Sequence, residues 1–234
     1  MQYEGVLRKM QTEFENPIAY YLVFPDDFIH MNLLLGRALS IRFLKYECLG
    51  CGADLPIFRQ GYCKNCFFEQ PQAGEWIMHP ERSKAHLGEE DRDLEYEKKV
   101  QLQPHIVYLA NSSNVKVGVT RKSQVPTRWI DQGAQEAIEI VETPNRYLAG
   151  INEVALKEHV ADKTHWRNML TNQLKDEDLF AWRERLRPFI PEEASDYFIA
   201  DTQETEIHFP VLAYPTKVKS LNLDKTQEYQ GILK

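Results

Sequence analysis

Between His105 and Val160 the spacing of apolar positions changes character several times. HIVYLA, from His105, is a short continuous apolar run of the kind a buried strand needs, and Asn111-Ser112-Ser113-Asn114 after it is rich in turn residues. VKVGVT then reads as a second strand, so the two form a hairpin, and Gly118 within it marks a bulge or a close backbone approach. Pro126 and Thr127 open a short helix, TRWIDQ, stopped by Gly133. AIEIVET alternates apolar and polar residues, as a third, half-exposed strand would. A longer amphipathic helix follows from about Tyr147 to Val160, with Leu148, Ile151, Ala155 and His159 near one face. The block is therefore β-β-α-β-α in order.

The flanks have different textures. YEGVLRKM, IAYYLVF and ALSIRFL are β-rich and punctuated by Pro25 and Gly36, which predicts a small antiparallel sheet or barrel. Pro80 to Lys99 is polar and highly charged, as a linker with a short helix or an exposed arm would be. Leu174, Leu179, Trp182 and Leu186 recur at helical spacing within 172–189, ending at Pro188, and β character returns in IHFPVLAYP and KVKSLNL. The predicted fold class is α+β, with a β-rich metal unit over 1–79, a charged linker over 80–103, the α/β core over 104–170, and a helix with a β-rich tail over 171–234 that packs on residues 1–45. Tyr3–Arg8 (YEGVLR) echoes Tyr229–Lys234 (YQGILK), so both ends are expected to feed similar strands to one sheet. The chain stops inside that second strand-like stretch, from which a longer natural chain is expected.

Composition narrows the classes. Hydrophobic residues at 43% and charged residues at 27% suit a soluble globular protein. No apolar run approaches a membrane span, and MQYEGVLRKM lacks a signal peptide's apolar stretch. The four cysteines form one pattern, C-x2-C-x11-C-x2-C, at Cys48, Cys51, Cys63 and Cys66, with Gly52 and Gly61 beside the two pairs. Two CxxC knuckles offer zinc its tetrahedron of thiolates, and four thiolate ligands make a closed, structural site; two disulfides or four free thiols are the competing assignments. Reduced thiols point to the cytoplasm. The net charge of −7 disfavours a polyanion overall, yet 104–170 carries eight Lys/Arg against seven Asp/Glu, while 171–234 carries eight against twelve. A nucleic acid, DNA or RNA, would have to bind at a local patch.

Those strands and helices, with Ile106-Val107-Tyr108, Lys116-Val117-Gly118 followed by Thr120, Arg128, and Glu153 six residues before His159, resemble the GIY-YIG nuclease superfamily, in the branch with lysine at the start of the second motif. Asn168 matches the superfamily's downstream asparagine loosely. The resemblance covers about a quarter to a third of the chain. It implies that Glu153 holds one divalent ion, Mg2+ or Mn2+, that Arg128 grips the scissile phosphate, that Tyr108 or a water beside it supplies or relays the nucleophile's proton, and that Lys116 steadies the phosphate where others have a tyrosine. A larger stretch, including PERSKAH, VYLANSS, KVGVTR, TRWIDQGA and NRYLAGINEVALKEHVADKTHW with the cysteine knuckles, resembles an uncharacterised bacterial family, the domain of unknown function numbered 2797.

Each residue has an ordinary alternative. Tyr108 suits a strand aromatic with its hydroxyl at the surface, Arg128 could pair with Asp131 or Glu153, and Glu153 could pair with Lys157 one helical turn on. His79, His86 and His105 could in principle form a second metal site. Two function classes follow: a nucleic-acid-processing phosphodiesterase with a structural zinc, or a non-catalytic nucleic-acid-binding or scaffold protein on a degenerate nuclease fold.

Overall fold

The computed structural model describes residues 2–160 and 166–234. In chain order the strands are β1 (Gln11–Glu13), β2 (Ala19–Val23), β3 (Phe28–His30), β4 (Ala38–Arg42), β5 (His105–Asn111), β6 (Val115–Arg121), β7 (Glu136–Thr143), β8 (Thr205–Glu206) and β9 (Glu228–Ile232). The α-helices are α1 (Lys64–Glu69), α2 (Leu94–Gln101), α3 (Thr127–Asp131), α4 (Arg146–Lys157), α5 (Trp166–Leu170) and α6 (Leu179–Leu186). The architecture is mixed α+β, with a four-cysteine cluster in the N-terminal part.

The central sheet is antiparallel, in the order β6-β5-β7-β8. All seven residues of β5 are buried, because it is sandwiched between β6 and β7 and covered on both faces. On one face Val107, Leu109, Ile138, Ile140 and Val141 pack with Ala149 and Leu156 of α4 and Leu179 and Leu186 of α6. On the other, Ile106, Tyr108, Ala110 and Ala137 pack with Trp129 and Ile130 of α3, and with Ile18 and Ile207 from the two ends of the chain. The three residues Ser112 to Asn114 join β5 to β6, where Asn111 faces Val115.

Several expectations change against the structure, each for a visible reason. β7 is largely buried rather than half-exposed. Its register with β5 skips Ile140, so this bulged residue and Val141 both enter the same cluster and the strict alternation breaks. On α4 the buried face is Ala149, Asn152 and Leu156, not the Leu148-Ile151-Ala155-His159 stripe. His159 stacks instead on Phe189, with centroids 3.6 Å apart. The helix expected over 172–189 is shorter and begins at Leu179, where Asp178 caps it by accepting from the Ala181 amide at 2.9 Å. Residues 3–10 form no strand, and Tyr3 stacks on Phe24 instead.

The terminal echo does not make one sheet of both ends. Only the C-terminal copy is a strand, β9, which pairs antiparallel with β4 from Ala38↔Ile232 to Arg42↔Glu228. IHFPVLAYP and KVKSLNL lie outside strands; Pro210 and Pro215 lack the amides a ladder needs, and Ile207 and Phe209 are spent on the core.

The charged stretch 80–103, expected as a linker, packs closely. Glu97 is buried, and its carboxylate accepts from the amides of Asp91, Arg92 and Asp93 at 3.0, 2.8 and 3.1 Å. Gln101, also buried, accepts from the Ala85 amide at 3.0 Å. A buried carboxylate is tolerated where several donors replace its water. Charge here marks a hydrogen-bonded anchor.

Candidate functional site

The four cysteine sulfurs lie within 4.8 Å of one another, with Cys48, Cys63 and Cys66 buried and Cys51 exposed. All four are unpaired thiols. The positive φ of Gly52 (70°) and Gly61 (84°) lets the chain turn tightly at both knuckles. The amides of Cys63 and Gly50 donate to the Cys48 sulfur at 3.2 and 3.4 Å. Backbone donors, first that of Cys51 and then that of Cys63, hold the Cys48 thiol down to about 6, whereas burial pushes the Cys66 thiol up to about 12. The fold thus favours the thiolate at Cys48, and a metal would have to displace the proton at Cys66. Tetrahedral zinc with bonds of about 2.3 Å sets its sulfurs about 3.8 Å apart, so this cluster can take a metal such as zinc with only a small contraction.

A second constellation lies at the β6 edge of the sheet, where α3 and α4 approach it. Tyr108, from the central strand, is fully buried rather than a surface aromatic. Its hydroxyl donates to Gln132 Oε1 at 2.8 Å, and its ring meets Trp129 edge-on at 6.0 Å. Its cross-strand neighbour is Gly118. A Cβ there would lie 2.5 Å from the Tyr108 hydroxyl, so glycine is what allows the phenol ring to lie across β6. Burial pushes the Tyr108 phenol up to about 12, against a downward pull from Arg128.

Lys116 stands on β6, half-buried, and burial lowers its ammonium to about 8, helped by the Arg128 charge. Arg128 is exposed on α3, and Asp131, its expected partner, instead accepts from Lys9 at 2.6 Å. Glu153 on α4 has a side chain only 18% exposed and sits 3.9 Å from Lys157, the ordinary helical pair expected from the spacing. Burial raises the Glu153 carboxyl, while Lys157, Arg146 and Arg128 pull it down and Glu81 pushes it up. Tyr108, Lys116 and Glu153 are thus all within electrostatic reach of Arg128, although they come from four different elements.

Two participants escape a reading of motifs. Arg146 lies seven residues before Glu153, so Arg146, Gly150, Glu153 and Lys157 form one stripe along α4. Burial lowers Arg146 to about 10; its guanidinium donates to the Trp76 and Ile77 carbonyls at 3.1 and 2.9 Å and lies over the Trp76 ring. Glu81 reaches the same stripe because the backbone of residues 80–81 crosses α4 at Gly150. The i,i+7 spacing of Arg146 and Glu153 was the only local signal for the first; for the second there was none. Asn168 is half-exposed on α5, where its carbonyl accepts from the Gln173 amide at 2.8 Å.

The three histidines do not converge. His79 pairs with Glu81 at 3.3 Å, His86 stacks on Tyr147 at 4.6 Å, and buried His105 contacts the Gln103 carbonyl at 2.7 Å. Among the described residues, the cysteine cluster is the one group of three or more such side chains placed to share an ion. No helix among them is long and apolar enough to cross a membrane.

The model of the family described as "Protein of unknown function (DUF2797)" matches residues 36–234, and the chain belongs to that family. No curated protein and no solved structure matches it.

Proposed function

We propose that this DUF2797 member is a divalent-metal-dependent phosphodiesterase acting on DNA or RNA, on a core resembling the GIY-YIG nucleases, with zinc in the four-cysteine unit and the cytoplasm as its reducing compartment. The observation that carries the reading is the convergence of Lys157, Arg146 and Arg128 on one half-buried carboxylate, Glu153, with Lys116 within electrostatic reach of Arg128. With Lys116 there are four cations to the two carboxylates Glu153 and Glu81, a positive excess that suits a phosphodiester, whose negative charge compensates their mutual repulsion.

Glu153 is the residue to hold a magnesium or manganese ion, which when bound supplies Lewis-acid stabilisation of charge on the phosphate. Arg128, exposed beside it, offers a planar fork to the phosphate oxygens. Arg146, fixed by two carbonyls, keeps positive charge beside Glu153 and opposes its protonation. Tyr108 remains a neutral phenol at physiological pH, so its part is to orient by hydrogen bonding rather than to accept a proton. The Lys157–Glu153 pair and the lysine in place of a second tyrosine favour the rival reading, a nucleic-acid-binding protein that kept the fold without the chemistry.

Cleavage of a DNA and RNA panel with added Mg2+ or Mn2+ separates the two. Wild-type protein is expected to cut and Glu153→Ala to lose about a thousandfold or more in rate, with a melting temperature within a few degrees of wild type. No cleavage by folded, metal-loaded wild type sinks the phosphodiesterase. A large melting shift in the mutant assigns Glu153 to the framework.

Lys116 gives a pH test with opposite signs for binding and stability. Anion binding is expected to weaken as pH rises through about 8, where the ammonium loses its proton. Because the folded state holds that proton less tightly than the unfolded chain, the same titration adds stability as pH rises past about 8. Lys116→Met should flatten both trends; a binding profile unchanged by this substitution removes Lys116 from the site.

A further inference from the structure

A cavity of about 340 Å3 opens on the Tyr108 face of the sheet, on the far side of Trp129. Phe14, Val125 and Trp129 give it apolar walls, and its polar lining includes Glu139 from β7 and Asp201 and Thr202 from the segment before β8. Three placements tie it to the constellation above. Glu139 is the cross-strand partner of Tyr108, so its carboxylate stands on the same face. Trp129 both lines the cavity and packs edge-on against Tyr108. Arg128 immediately precedes Trp129, so the candidate phosphate ligand and one wall of the cavity belong to the same short helix, α3.

The chemistry of the lining is selective. Ionised Glu139 and Asp201 can only accept hydrogen bonds, while Thr202, Gln203 and Thr205 of the same lining can also donate, so the cavity suits a ring edge with adjacent N–H donors next to an acceptor. Among nucleobases guanine presents two such donors side by side, N1–H and the N2 amino group, which a single carboxylate accepts together; adenine and cytosine present only an amino group beside an acceptor. Phe14 is 53% exposed at the rim, a large apolar ring available for stacking. Burial also holds the Glu139 carboxyl above its ordinary range, so paired donors would replace water it has partly lost.

We propose that this cavity is a base-binding subsite for guanine, with Glu139 as the specificity-determining residue and Phe14 as the stacking surface. The assignment rests on reading Arg128 as a phosphate ligand.

The test is binding of 5′-GMP and 5′-AMP to the full chain by calorimetry without added magnesium, in wild type, Glu139→Gln and Phe14→Ala. Wild type is expected to prefer GMP by about tenfold or more, Glu139→Gln to bring the two nucleotides within about twofold, and Phe14→Ala to weaken both about severalfold. Equal affinities in wild type, no GMP binding at millimolar concentration, or a preference that survives Glu139→Gln overturns the subsite. Cleavage is read separately. A GMP preference without any nuclease activity sinks the phosphodiesterase and leaves the base site standing, whereas cleavage without a guanine preference does the reverse.

Discussion

Gly150→Ala is expected to destabilise the protein by about 2 kcal/mol, lowering its melting temperature by about 4–8 °C. Helix propensity alone argues the other way, since alanine is favoured over glycine by about 1 kcal/mol inside a helix. The tertiary contact decides the sign. A Cβ at position 150 would lie 2.2 Å from the Glu81 amide nitrogen, 2.3 Å from the Pro80 carbonyl carbon and 2.7 Å from the Glu81 Cα. All three are backbone atoms, so no rotamer change relieves the clash; either the 80–81 crossing lifts or α4 shifts. Both movements strain the Arg146 bonds to Trp76 and Ile77 and change the surroundings of Glu153. Val154→Ala, at an exposed position of the same helix, is the control and should stay within about 0.5 kcal/mol. Thermal unfolding of the two variants against wild type checks the pair; a Gly150→Ala protein as stable as wild type would mean that the crossing yields freely.

Losing the metal should have the larger effect, confined at first to one region. Wild-type protein is expected to carry one zinc per chain, and Cys51→Ser to lose it by elemental analysis. A four-thiolate structural site contributes about 10 kcal/mol or more of apparent folding free energy, far above what the knuckles recover from their own packing. Among the described residues, Tyr62 is the partly buried hydrophobic residue packed against the three buried cysteines. Amide exchange should therefore lose protection around residues 48–70 while β5, β6 and β7 stay protected. The damage should extend at least to Arg92, which donates to the Phe67 and Gln70 carbonyls at 2.9 and 2.7 Å and ties the end of α1 to the packed 80–103 segment. Unchanged zinc content in Cys51→Ser would remove the site.

What could be read ahead of the structure was short-range. The β5–β6 hairpin, the brief α3 and the cysteine knuckles each rest on a pattern within about twenty residues, where period, turn chemistry and ligand spacing act directly. Expectations failed where a distant partner overrode the local pattern. The bulge at Ile140 comes from its register against β5, and the buried face of α4 from the sheet and α6. The charge-rich run around Glu97 looked solvated because nothing in its composition says that three backbone amides would turn inward to meet one carboxylate.

The candidate site divides in the same way. By itself the sequence determined that this is an α+β chain with four cysteines spaced as a metal site would need, and that Tyr108, Lys116, Arg128 and Glu153 fall on two strands and two helices of one core. Only the tertiary structure decided that Arg146 and Glu81 join them, that Tyr108 is buried on Gln132 rather than exposed, and that β9 closes on β4 across most of the chain length. Ligand spacing and periodicity are properties of neighbours along the chain. Burial, electrostatic reach and strand pairing belong to neighbours in space, and they exist only once the chain has folded.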